Sequence, residues 1–135
     1  MAFTGNFPCN SFKSGLIDGD FDFDTDTFKI ALYTNDATLN ADTSAYSSSN
    51  EVSASGYTAG GEDLTVSKGI SGGVAYVTFT DVSWSAAITA RGALIYKDGG
   101  AAVCVLDFGS DKTSTTTFTV DFPTASATDA LIRLS

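Results

Sequence analysis

Short apolar segments, each closed by turn-forming residues, recur along the chain about every eight to twelve residues. Val74–Trp84, Ile88–Tyr96 and Ala101–Phe108 are three of them. Residues that favour strands and turns dominate, with 18 Thr, 16 Ser and 13 Gly against one Met and two Glu. At 135 residues the chain has the length of one domain. The pattern predicts an all-β, single-domain antiparallel β-sandwich, either jelly-roll-like or immunoglobulin-like.

Two stretches fall outside the strand pattern. Residues 1–9 carry two Phe and Pro8, which interrupts a regular strand, so they predict an N-terminal arm over its own domain or a neighbour. The β-sandwich domain then spans residues 10–135. Its polar stretch 35–63 is longer than a typical connection and predicts a functional loop or an excursion over a partner.

Within the domain, at most one short helix is expected. Asn10 and Ser11 are candidate caps, and Gly15 and Gly19 limit the helix to two turns. A turn is expected at Gly109–Lys112. Central strands are predicted at Lys29–Tyr33, Tyr76–Phe79, Ala93–Tyr96 and Val103–Leu106.

The composition excludes several classes of function. The chain has no His, which excludes Ser-His and Cys-His nucleophiles and His-based zinc sites. Ser71 matches G-x-S-x-G but has no base to activate it, and Glu62 and Asp63 are adjacent in a glycine-rich stretch rather than on two walls of a cleft. We therefore expect a non-enzymatic protein without catalytic residues, cofactor or metal.

The charge of the chain restricts its partners. A net charge of −9 disfavours binding to nucleic acid and to anionic membranes. The sequence has no apolar run of about 20 residues and no signal-peptide pattern at its start, so we expect a protein made in the cytoplasm with no membrane partner.

The acidic series Asp18–Asp26 resembles a calcium loop but lacks the Gly and Glu positions of an EF-hand. A solvated edge strand is the favoured interpretation, and a calcium-stabilised domain is the alternative. Cys9 and Cys104 lie in apolar surroundings and predict two buried thiols rather than a disulfide.

Trp84 lies in an alternating strand, where burial in the core is the favoured role. The alternative is an aromatic platform for sugars, formed together with Tyr57, Tyr76 and Tyr96.

Several stretches of the sequence carry a resemblance to a known group of proteins: MAFTGNFPCNSFKSGL, DTFKIALYTNDATLNADTSAY, NEVSASGYTAGGEDL, ARGALIYKD, AVCVLDFGSDKTS, TFTVDFPTA and the final ALIRLS. Together they resemble short virion structural proteins of tailed bacteriophages from marine and freshwater environments. The resemblance covers nearly the whole chain.

The resemblance implies a non-enzymatic virion component present in many copies, first of all a capsid decoration (cement) protein. Its partners would be the major capsid protein and sister subunits, in a homotrimer. The alternative is a tail or adsorption-apparatus protein that binds a receptor or glycan. Candidate interface residues are Phe3, Phe7, Tyr46 and Tyr57, each of which could equally cover its own core.

Overall fold

The structure, a computed structural model, describes residues 3 and 5–135; Met1, Ala2 and Thr4 of the predicted arm lie outside the described residues. The described part contains one helix and ten strands. The helix α1 spans Asn10–Asp18. The strands are β1 (Phe7–Pro8), β2 (Phe28–Tyr33), β3 (Glu62–Leu64), β4 (Val66–Ser71), β5 (Val74–Phe79), β6 (Val82–Trp84), β7 (Thr89–Lys97), β8 (Ala102–Thr113), β9 (Phe118–Val120) and β10 (Ile132–Leu134).

Over these residues the strands form three antiparallel sheets. The largest has the order β1-β8-β7-β2-β3, the second has the order β10-β5-β4, and β6 pairs with β9. The predicted all-β, sandwich-like fold is therefore confirmed. The four predicted central strands lie in β2, β5, β7 and β8, and each of these has a strand neighbour on both sides.

The core is built on β2, β7 and β8. Ile30, Ala31 and Leu32 are consecutive in β2, and all three are fully buried. Because successive side chains of a strand point to opposite faces, both faces of the sheet are covered at this point. Continuous apolar runs, rather than alternating ones, are the sequence pattern that such a doubly covered strand requires.

The helix differs from the prediction in its length and its start. It has nine residues, about two and a half turns, and Cys9 is the residue before it, without a side-chain capping bond. Gly15 lies inside the helix, which continues to Asp18, and it packs against Phe21. A Cβ built there would lie 2.6 Å from Cε2 of Phe21, so only glycine leaves room for that ring.

Two local predictions were wrong. Residues 20–27 form a loop with turns rather than an edge strand, because the Asp22 and Asp24 amides bond to nearby aspartate carboxylates instead of to a strand.

The turn predicted at Gly109–Lys112 lies inside β8. Asp107 of β8 pairs with Gly92 of β7, and Lys112 pairs with Ala90. The four residues of β8 between these two pairs face a single residue of β7, so they form a bulge.

Candidate interaction groove

A groove opens where the edges of the two larger sheets approach each other. It is lined by β1 and α1 on the side of the first sheet, by Cys104–Leu106 of β8, and by residues around and in β10 of the second sheet. Its volume is about 1100 Å³. The apolar side chains that line it include Phe7, Leu16, Val105, Leu131, Ile132 and Leu134. We call it the β1–β10 groove.

Apolar side chains are exposed at this groove to an unusual degree. Among the described residues, three large apolar side chains are exposed, namely Ile17 (88%), Ile70 (73%) and Leu134 (54%). Ile17 and Leu134 both line the β1–β10 groove, while Ile70 lies in β4. An exposed apolar cluster around a concave surface marks a binding site more often than isolated exposed residues do.

The groove is also the place where unpaired positive charge gathers. Lys13 and Arg133 line it, and none of the described residues that line it is acidic, although the chain has 16 Asp and Glu. Within the described part, Lys29, Lys68, Arg91 and Lys97 form salt bridges, whereas Lys13, Lys112 and Arg133 form none. The groove thus combines apolar surface with two cationic side chains on an acidic protein.

Of the four candidate interface residues, only Phe7 reaches the groove. It is half-buried in β1, opposite Val105 of β8. Phe3 is fully buried, and its ring lies 6.0 Å from the Arg91 guanidinium carbon. Tyr57 is 8% exposed. The rings of Phe3 and Tyr57 therefore pack in the chain's own core and are not offered to a partner.

Tyr46 and Tyr57 belong to a hydrogen-bonded cluster centred on Glu51 in the long polar stretch. The Tyr46 hydroxyl donates to Glu51 Oε1 at 2.6 Å, and the Tyr57 hydroxyl donates to Oε2 at 2.5 Å. The Gly60 amide donates to Oε2 at 2.8 Å. Tyr46 also stacks on Tyr96 of β7, with ring centroids 4.7 Å apart. These bonds hold the stretch against its own sheet.

Burial governs the acidity of these phenols. Burial, followed by the hydrogen bond to the Glu51 carboxylate, raises the pKa of Tyr57 and of Tyr46 far above the ordinary tyrosine range. Both hydroxyls therefore remain protonated donors at any physiological pH. The cluster acts as a fixed support for the loop rather than as an acid-base pair.

A second polar cluster joins the N-terminal segment to the sheet. Arg91 Nε lies 3.1 Å from Asp107 Oδ1, and Arg91 Nη1 donates to Asn35 Oδ1 at 3.2 Å. The Asp107 amide donates to Asn6 Oδ1 at 2.6 Å. Burial alone would raise the pKa of Asp107, but the bond from the Gly109 amide and the Arg91 guanidinium outweigh it and lower that pKa.

Two of the five aspartates of the acidic series form salt bridges with lysines. Lys68 Nζ lies 2.8 Å from Asp24 Oδ1, and Lys97 Nζ lies 3.2 Å from Asp26 Oδ2. Over residues 3 and 5–135, no group of three or more Cys, Asp or Glu side chains is placed to hold a metal ion.

The cysteines are free and buried. Burial raises the pKa of Cys9 to about 11, and burial together with the nearby Cys9 raises the pKa of Cys104 further. Both are thiols at neutral pH, so neither is an activated nucleophile. Ser71 ends β4 beside the Gly72–Gly73 turn, at an exposed position.

Trp84 is 2% exposed, which confirms its predicted burial. It packs beside Tyr57 and Phe118, with ring centroids 5.9 Å and 6.3 Å away. Since Tyr57 and Tyr96 are buried as well, these rings form no exposed platform for a sugar. In the described part of the chain, no helix has the length and apolar character needed to span a bilayer.

Comparisons with protein-family models, curated proteins and solved structures gave no match.

The β1–β10 groove is the part of the described surface where exposed apolar side chains and unpaired cations coincide. Apolar surface beside cationic side chains is chemistry that can bind a partner. Sequence reasoning missed Ile17 and the β10 residues of this groove; the pattern Leu-Ile-Arg-Leu, a cation inside an apolar strand of an acidic chain, was the available signal.

Proposed function

We propose that the protein is a non-enzymatic structural component of a tailed-bacteriophage virion, specifically a capsid decoration (cement) protein. The observation that carries the proposal is the β1–β10 groove, a concave apolar surface with two exposed aliphatic side chains and two unpaired cations. Together with the sequence resemblance to virion proteins, this surface favours docking on another virion protein. The major capsid protein is the proposed partner.

The groove favours a contact that is weak for each copy and strong for an assembly. Each apolar side chain that becomes fully covered contributes about 1.5–3 kcal/mol. Association of two proteins costs roughly 4–15 kcal/mol of lost freedom, so a few such side chains leave little net affinity. A homotrimer would join three contacts and raise the overall affinity through effective concentration. We therefore propose that the protein docks as a trimer and connects neighbouring capsomers.

The copy number in the particle tests the proposal. We would purify virions of the encoding phage on a density gradient and quantify this protein against the major capsid protein by mass spectrometry with isotope-labelled peptides. A cement protein repeats with the subunits of the shell, so we expect far more copies of it than of a tail protein. A known tail protein in the same sample is the internal control.

Two results would contradict this function. A copy number equal to that of the tail protein would favour the tail or adsorption-apparatus alternative. Absence from virions that contain all other structural proteins would remove the protein from the particle altogether.

A further inference from the structure

We infer that the β1–β10 groove receives an extended peptide segment of the partner, with alternating apolar and acidic residues, which pairs along the free edge of β10. That the partner is a virion protein rests on the proposed function. The chemistry of the segment rests on the groove alone. Four features of the groove carry the inference: a free strand edge, the alternation along that strand, the charge, and the mismatch with a second copy.

The first feature is the strand edge. β10 is the outer strand of its sheet, and β5 is its partner on one side only in the described part of the chain. Its other edge therefore presents backbone amides and carbonyls that no strand covers. An extended peptide that adds to such an edge gains main-chain hydrogen bonds without a specific sequence. The outermost strand of the other sheet, β1, bounds the same groove and has two residues.

The second feature is the alternation along β10. Ile132, Arg133 and Leu134 are consecutive, so Arg133 lies on one face of the strand and the two aliphatic residues lie on the other. Residues directly opposite each other on neighbouring strands share a face. An added strand would therefore place apolar side chains beside Ile132 and Leu134 and a carboxylate beside Arg133.

The third feature is the charge. Lys13 on α1 and Arg133 on β10 face the groove from two elements, and no acidic side chain of the described residues lines it. Arg133 Nη1 donates to the Thr128 carbonyl at 2.6 Å, which leaves further N–H groups of the guanidinium for a carboxylate. Elsewhere the molecule repels acidic ligands, since its net charge is −9. An acidic segment is thus attracted to this groove and to few other places.

The fourth feature excludes a second copy as the favoured occupant. Two β10 strands that paired antiparallel about their middle residue would set Arg133 against Arg133. Like charges directly opposite each other destabilise a strand pair. An acidic segment of a different protein avoids this repulsion, and it is the occupant that we propose.

Peptide titration of the full chain tests the inference. The probes are two synthetic capped octapeptides, one of alternating valine and aspartate and one of alternating valine and lysine. Amide shifts of the isotope-labelled protein are followed by NMR up to about 1 mM peptide. We expect the aspartate peptide to shift amides of β10 and α1, and the lysine peptide to leave them unchanged.

Charge-reversal variants identify the cations involved. Lys13→Glu and Arg133→Glu should each weaken binding of the aspartate peptide, and the double variant by about tenfold. Lys112→Glu is the matched control, because Lys112 also forms no salt bridge in the described structure but lies outside the groove. Lys13→Glu changes a side chain of the exposed helix surface, so it keeps the test valid if Arg133→Glu does not fold.

Several outcomes would overturn the inference: no shift with the aspartate peptide, equal binding of the lysine peptide, equal weakening by Lys112→Glu, or shifts outside the groove. Amide shifts of β10 that depend on protein concentration without peptide would assign the groove to a second copy. The peptide assay contains no virus particles. A negative result would therefore contradict the peptide inference without contradicting the proposed virion function, which the copy-number measurement tests.

Discussion

At the scale of single residues, Glu51 shows how a carboxylate can organise a loop that has little regular structure. It accepts bonds from two tyrosine hydroxyls and one amide, and the Tyr57 hydroxyl in turn accepts from the Leu32 amide in β2. This chain of bonds links the long loop to a buried strand. Hydrogen bonds to a charged acceptor in a partly buried site are stronger than neutral ones.

We expect Glu51→Gln to lower the free energy of unfolding by about 1–3 kcal/mol, because glutamine has no charge and only one of the two acceptor oxygens that receive the three bonds. Urea denaturation measures the change. Glu62→Gln is the control, since Glu62 is exposed and is the other glutamate of the chain. Equal stability of the two variants would show that the cluster contributes nothing to the fold.

The cysteines give a second prediction at this scale. Because burial raises the pKa of Cys9 to about 11 and that of Cys104 further, both are protonated at pH 8. We expect neither to react with Ellman's reagent in the native protein, and both to react in guanidinium chloride. Rapid labelling of one thiol before unfolding would contradict the buried positions of these side chains.

At the scale of elements, the N-terminal segment is part of the fold rather than an accessory. Phe3 is fully buried, and β1 pairs with β8. Gly92 of β7 leaves room for the Phe3 ring. A Cβ at Gly92 would lie 2.4 Å from Cε2 of Phe3 and 2.5 Å from the Leu106 carbonyl oxygen. Removal of residues 1–8 would therefore take a core side chain away.

Phe3→Ala is expected to destabilise the protein by about 3–5 kcal/mol, because it leaves a cavity beside Gly92. Thermal unfolding followed by circular dichroism measures the effect. Phe3→Leu, which fills most of the volume, should cost less than half as much. If Phe3→Ala matched the wild type in melting temperature, the aromatic ring would have no part in the core.

The sequence predicts elements best where the local pattern alone decides them. β2 and the first part of β8 are apolar runs between turn signals, β5 alternates between turn signals, and all three form as predicted. Residues 20–27 alternate like a strand, yet their amides bond to their own aspartates, and only the three-dimensional turn makes those bonds possible. The burial of Phe3 and the position of the β1–β10 groove depend on segments about 100 residues apart, which no local pattern specifies.

At the scale of the whole molecule, Arg91 and Asp107 connect three parts of the chain. Their side chains are 11% and 12% exposed, and they contact the N-terminal segment through Asn6 and Phe3 and the long loop through Asn35. Breaking a buried pair by removing one partner leaves an uncompensated charge, which costs more than the pair contributes.

We expect Asp107→Asn to lower stability at pH 7 and to make it less dependent on pH in acid. The pKa of Asp107 is lower in the folded protein than in the unfolded chain. The ionised Asp107 therefore makes its full contribution to folding stability above the ordinary aspartate pKa of about 3.9. This contribution disappears as the pH falls through the lower pKa that Asp107 has in the folded protein.

Urea titrations between pH 7 and pH 2.5 measure this dependence. Asp111→Asn is the control, because Asp111 is an exposed aspartate of the same strand. A parallel pH profile for Asp107→Asn and the wild type would show that this carboxyl is not among the groups that link folding to acid.

The pairing of β1 with β8 also constrains how the protein is made. Asn6 accepts its bond from Asp107, 101 positions later, and Phe7 pairs with Val105. At about 5–20 residues per second, a ribosome needs about 5–20 s to produce the strand that the first residues await. Throughout that interval Phe7 lacks the strand it pairs with, so the first residues of the protein wait for most of translation before they can join their sheet.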